Sequence, residues 1–412
     1  MTAKNRKPLA SEDGVLENYP AVVTPWGKLI GLREVHKRDL RHNASVAALF
    51  MQVLRIVEPD YLTRCDLLCT VNRPNYYETY KIDGFRACER DAKCIHPFIR
   101  GGYANAFAAD HGDEALHMCG RVNDYSTYRT EKELDTCPWE IVGSEYCRCT
   151  TNYTQDMNDA WTEVTPGSVP LEYNMVEARG CGDRHCRLIG ESREKWPLPK
   201  KEHPSDCFGP IATGDYIKFT NEEDCYHEPQ EYREETGHRY LSPTDARFNA
   251  NELFEAMAAL PEGTNSVIRV LDAISEEKGA DFIENVIKCV FEGGGKAAFM
   301  EFPCIKGMRD YLGVPGDVND GRVLGGLIEV TLQSMLMEYE IVSFDEDGAV
   351  YDISRPNLQR KLRWLDKAYV SMWHGMVKTL VGSEWSVWED EETLDNVNTM
   401  RLHVQRRINK FQ

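Results

Sequence analysis

Apolar residues recur at three- and four-residue intervals from Asn43 to Val57 (NASVAALFMQVLRIV), which predicts a helix capped by Asn43 or Ser45 and stopped by Pro59. Arg64 to Val71 continues an apolar stripe in which Cys65 and Cys69 stand four apart, on one face of a helix. Residues 1–40 read as an arm, charged as far as Glu17 and then extended and punctuated by proline. A helix broken at Gly112 is expected in the stretch YANAFAADHGDEALHMCG. The aromatic residues of 76–128 could wall a small-molecule pocket.

Leu171 to Val176 alternates apolar and polar positions, and Cys186 to Ile189 is short and apolar. Arg179-Gly180-Cys181-Gly182-Asp183 between them supplies turn residues, so a β-hairpin is predicted. In the second half the pattern gives a helix over Ala246 to Ala259, a helical pair over Ser266 to Phe291 and a break at Gly293-Gly294-Gly295. An amphipathic helix from Gly325 to Tyr339 then precedes a hairpin from Ile341 to Ile353 with the turn DEDG. A helix from Leu362 to Val381 and a strand pair from Trp385 to Val404 complete the chain. The triple glycine lacks the phosphate-loop spacing and follows a helical run, so no phosphate loop is expected there.

These elements predict a mixed α/β (α+β) fold of two domains, each a helical layer on a small antiparallel sheet. The expected divisions are an arm at 1–40, a cysteine-rich domain at 41–196, a charged, proline-rich linker at 197–242 and a second α/β domain at 243–412. The halves also share an order. Asp135 to Pro138 and Asp352 to Pro356 are similar short elements, Cys186 lies 48 residues beyond Pro138, and Val404 lies 48 beyond Pro356. A degenerate duplication would put Arg355 near the place of Cys137 and leave the second hairpin without thiols; two unrelated domains are the other reading.

Composition narrows the partners. The chain of 412 residues is 42% hydrophobic, enough for sizeable cores, and 48 basic against 67 acidic residues give a net charge of -19, which repels nucleic acid and anionic membranes. No export signal or long apolar run is seen, so a cytoplasmic location is expected, with a small-molecule substrate, no nucleic-acid or membrane partner, and homodimerisation through the second half. Fourteen cysteines in that setting are read as reduced thiols, ligands or catalytic groups, many of them simply buried.

The richest chemistry lies between Asp135 and Ser192, where Cys137, Cys147, Cys149, Cys181 and Cys186 stand among Asp156, Glu177, Asp183 and His185. The run Cys137-Pro138-Trp139, then Cys147 or Cys149, then Asp156, then Gly182-Asp183-Arg184-His185-Cys186 resembles the L-2-amino-thiazoline-4-carboxylate hydrolase family. Its closing G-D-x-x-C element is similar to that of the 4-vinyl reductase small-molecule-binding domains. The first resemblance implies hydrolytic opening of a small cyclic C–N substrate. The second implies a non-catalytic binding or sensing module that holds zinc through glutamate and cysteines.

Two site chemistries follow. In one, Cys137 or Cys186 is the nucleophile and Asp156, His185, Asp183, His111 or His117 handles protons; His185 and Cys186, as strand neighbours, would face opposite sides. In the other, Glu177, Cys147, Cys149 and Cys186 bind zinc, with Glu177 and Cys186 on facing strands. Cys137, brought in by a preceding helix, is expected within about 8 Å of Cys186, since zinc–sulfur bonds of about 2.3 Å would require such proximity.

Overall fold

The computed structural model describes residues 20–90, 119–125, 129–164, 171–192, 261–297, 302, 304–335, 337–355, 364–394 and 396–407. The elements expected at 101–118 and 246–259, together with the linker at 197–242, lie outside them. In chain order a small hairpin, β1 (Pro20–Val23) and β2 (Leu29–Gly31), leads into α1 (Leu32–Val57) and α2 (Tyr61–Arg90). Next come β3 (Cys119–Tyr125), β4 (Arg129–Thr136), a 3-10 turn at Pro138–Val142, α3 (Ser144–Val164), β5 (Leu171–Glu177), a 3-10 turn at Arg179–Cys181, and β6 (Cys186–Ser192). The remainder is α4 (Pro261–Ala273), α5 (Ala280–Ala297), α6 (Ile305–Leu312), α7 (Arg322–Ser334), β7 (Tyr339–Asp345), β8 (Gly348–Ser354), α8 (Leu365–Leu380), β9 (Trp385–Glu389) and β10 (Thr399–Arg406). The fold is therefore mixed α/β, as the pattern predicts. Among the described residues no helix is long and apolar enough to cross a membrane.

The chain forms two compact units, and their boundary differs from the one expected. Residues 1–57 group with 248–412, and residues 58–247 form the other unit. The reason lies in α1, assigned from sequence to the cysteine-rich half. Its apolar face, with Val46, Ala47, Phe50, Val53 and Leu54 fully buried, packs on α4 and α5, and Phe50 meets Phe291 edge to face with ring centroids 4.6 Å apart.

In the unit 58–247, α2 and α3 pack together, and α3 also lies on one face of a four-stranded antiparallel sheet of order β3-β4-β6-β5. Leu171, Tyr173, Met175, Ala178 and Leu188 form the core there with Cys147. The edge strand β5 is closed by a helix side chain. Gln155 donates to Leu171 O at 2.9 Å and accepts from Tyr173 N–H at 2.8 Å, satisfying backbone groups that a bare edge would expose.

The other unit has a four-stranded antiparallel sheet of order β7-β8-β10-β9. Taken in chain order, both sheets are two hairpins with the fourth strand inserted beside the second, and in both a helix (α3, α8) joins the hairpins. Each of those helices pairs with an earlier one, α2 or α5. This repeated order is what the duplication reading expects.

The triple glycine does not end α5. A Cβ at Gly295 would stand 2.0 Å from Met372 O, one at Gly375 would stand 2.1 Å from Glu292 O, and one at Gly294 would meet the Leu49 side chain at 2.4 Å. Gly295 is kept where α5 and α8 touch backbone to backbone and Gly294 where α1 packs closely, which offsets about 1 kcal/mol of helix propensity at each; Gly293 has no such contact.

Candidate functional site

Three sulfurs converge at one end of the β3-β4-β6-β5 sheet. Cys137 follows the last residue of β4, Cys186 opens β6 opposite Leu134, and Cys147 lies in the first turn of α3. Cys137 reaches the site at the end of a strand that pairs with β6, and not on a helix as the sequence suggested; strands β3 and β4 went unread because their residues carry little apolar alternation. Cys137 and Cys186 are joined by a side-chain hydrogen bond, in keeping with the expected proximity. Cys186 Sγ also accepts the Arg179 N–H at 3.3 Å.

The turn between β5 and β6 is built around these sulfurs. Gly182 adopts φ 96°, and Asp183 accepts the Ala178 N–H at 2.8 Å, which closes the turn and gives this aspartate a structural task. Gly180 serves by its lack of a side chain, since a Cβ there would lie 2.6 Å from Cys147 Sγ and 3.1 Å from the Gly143 backbone. Arg179 binds the carboxylate of Glu140 and donates to Arg184 O at 2.6 Å, tying the 3-10 turn after Cys137 to the hairpin turn. Neither Gly180, Arg179 nor Glu140 was singled out from sequence; the one trace of them was a second glycine in a turn that needs only one with positive φ.

The environment holds Cys137 and Cys147 as protonated thiols. The hydrogen bond with Cys186, then burial, then the neighbouring Cys147 hold Cys137 well above the usual thiol range. Burial, with Cys186 and Cys181 nearby, pushes Cys147 up to about 12. Cys137 is half-buried and Cys186 and Cys147 are buried, so Cys137 is the member of the trio with access to solvent, while Cys181 stands exposed at the rim.

The other expected members lie elsewhere. A β-bulge between Met175 and Glu177 moves the register so that Glu177 faces Arg187 and not Cys186. Without that extra residue Glu177 and Cys186 would share a face; with it they point to opposite faces. Glu177 instead meets His185, whose Nε2 lies 2.7 Å from its carboxylate and 3.4 Å from that of Glu133. Cys149 is two residues from Cys147 on α3, roughly 200° around the helix, and its Sγ contacts Leu68 O of α2 at 3.6 Å. Asp156 is nine residues along the same helix, roughly 14 Å from Cys147, where it pairs with Arg73. Its burial outweighs that arginine and, with Asp159 adding to the shift, raises its pKa to about 7.

Glu177, Cys147, Cys149 and Cys186 thus do not fit a zinc centre. Among the described residues no group of three or more His, Cys, Asp and Glu side chains is arranged to hold a metal ion. His111 and His117 lie outside the described residues.

The equivalent place in the other unit holds an ion pair. Arg355 follows β8 as Cys137 follows β4, and it meets Asp366 in the first turn of α8 at 2.5 Å and Glu389 at the end of β9. It also donates to Thr393 O at 3.0 Å and Asn396 O at 2.7 Å in the turn between β9 and β10. The three charged side chains are each at most 6% exposed.

Comparison of the chain with protein-family models, with curated proteins and with solved structures finds no match.

Proposed function

We propose that the thiol cluster of the unit 58–247 is the working site, and that it opens the ring of a small cyclic C=N substrate of thiazoline or amidine type in the cytoplasm. The observation that carries this reading is the half-exposed Cys137 seated against Cys186 and Cys147, at a position that the other unit fills with a sealed ion pair. At this position the two units differ, with thiols in one and a buried ion pair in the other.

The protonation state narrows the substrate. A thiol that keeps its proton is a weak nucleophile unless the proton leaves as the S–C bond forms. Among the described residues His185 lies across the sheet and Asp156 well down α3, so neither stands ready to take it. A basic C=N nitrogen takes it directly: the Cys137 sulfur bonds to carbon, the π pair moves to nitrogen, and the thiol proton follows. The ring bond from that carbon to its second heteroatom then breaks as C=N reforms, the nitrogen's proton passing to the leaving heteroatom, and water adds to the carbon and releases Cys137 as the thiol. Lactam nitrogens are not basic, so thiazolines and amidines are the better substrates of the cyclic C–N class.

A panel of cyclic amidines, thiazolines and lactams tests this. Turnover is expected for the first two, falling about a thousandfold or more in Cys137→Ser and Cys186→Ser while Cys289→Ser retains it. Wild-type activity in Cys137→Ser would remove the cluster from the mechanism. Saturable binding with no turnover across the panel would make the protein a binding module like the 4-vinyl reductase domains.

A further inference from the structure

We infer that Cys137 and Cys186 are an oxidisable dithiol, converted to an intramolecular disulfide by a hydroperoxide and returned to thiols with difficulty. The inference rests on the placement of the sulfurs and stands whether or not the site is hydrolytic.

The two sulfurs already contact each other through their hydrogen bond, and each is held from its own element. Cys137 is fixed by the end of β4 and by the 3-10 turn in which Glu140 N–H donates to Cys137 O at 3.3 Å. Cys186 is fixed by its ladder position opposite Leu134 and by the Arg179 N–H. Cys137 is half-buried and Cys186 buried, so of the two Cys137 is the one an oxidant meets first.

Cys137 sulfur attacks the O–O bond of the hydroperoxide and becomes a sulfenic acid, releasing an alcohol. Cys186 sulfur then attacks the Cys137 sulfur and water leaves. Two thiols and ROOH give one disulfide, ROH and H2O; the thiols lose two electrons and the O–O bond takes them.

The surroundings also set the direction of the poise. Low-pKa dithiols make strong oxidants because their reduced form is stabilised as thiolate; here the bond to Cys186 and then burial hold Cys137 in the thiol form, so the disulfide is the harder form to reduce. The same protonation makes formation slow at neutral pH and faster above pH 8. The bond would close the chain between residues 137 and 186, restricting the unfolded state.

The test is to expose the full chain to hydrogen peroxide at pH 8.5, block remaining thiols with iodoacetamide and map the digest by mass spectrometry. Expected are a Cys137–Cys186 linked peptide pair, two fewer titratable thiols, a melting temperature higher by roughly 10 °C, and reversal by dithiothreitol but not by a glutathione mixture of cytoplasmic poise. Cys289→Ser should behave as wild type. Linkage of Cys137 to Cys147 or Cys181, or Cys137 running on to sulfinic acid with no cross-link, would overturn the inference, and the wild-type chain alone suffices to see either.

Discussion

The ends of β4 and β8 occupy the same place in two sheets of one strand order, and the chain joins each to the neighbouring helix and turn by different chemistry. In one unit three thiols meet, one of them open to solvent; in the other Arg355 is sealed between Asp366 and Glu389 and two backbone carbonyls. Both arrangements can tie strand, helix and turn together. The ion pair binds by charge and geometry, whereas the thiols bind weakly and leave Cys137 half-buried. A position that fold stability alone required could carry the ion pair twice; reactivity is what the proposed function asks of the thiols.

The largest effect should come from breaking the ion pair. Arg355→Ala leaves two carboxylates buried without their cation and should cost about 3–5 kcal/mol in urea denaturation, with loss of the 248–412 unit's structure seen first. A loss under 1 kcal/mol would mean that the locus is less sealed than its contacts indicate.

At the thiol locus Gly180→Ala drives a methyl into Cys147 Sγ and should destabilise by about 1–3 kcal/mol. Adding Cys147→Ala removes that sulfur and should recover much of the loss. An additive double mutant would show that the two do not touch.

Asp156 gives a pH signature. Its folded pKa of about 7 lies above the ordinary 3.8, so its contribution to stability is full below pH 3.8 and is lost as pH rises through 7. Relative to Asp156→Asn, the wild-type chain should lose on the order of 2 kcal/mol between pH 5 and 8. Parallel pH curves for the two would refute the burial account.

These sites differ in how far the sequence disclosed them. Apolar patterning found α1, α4, α5, α7, α8 and the three hairpins of β5–β6, β7–β8 and β9–β10. It missed β3 and β4, whose residues (CGRVNDY, RTEKELDT) carry almost no apolar alternation; β4 is ordered by pairing with β6, and β3 by pairing with β4. Spacing singled out Cys137 and Cys186, which the fold brings together. It could not see that one bulged residue, Val176, turns Glu177 to the other face, nor that helix periodicity sends Cys149 away from Cys147. Gly293-Gly294-Gly295 misled for a similar reason: propensity is local, whereas Gly294 and Gly295 pack against Leu49 of α1 and Met372 of α8, both distant in the chain.

The smallest expected effect lies on the α5–α8 seam. Glu292, held down to about 2 chiefly by its bond to Lys378 with help from Lys296, is partly exposed, so Lys378→Ala should cost under about 1 kcal/mol at neutral pH. The difference should vanish as acid protonates Glu292 near pH 2.

The claim that one locus is reactive and the other sealed is tested most directly by following ring opening of a 2-aminothiazoline carboxylate by wild-type, Cys137→Ser and Cys289→Ser chains of matched circular dichroism. The account predicts turnover by wild type and Cys289→Ser and a loss of about a thousandfold or more in Cys137→Ser. Equal rates in all three would contradict it.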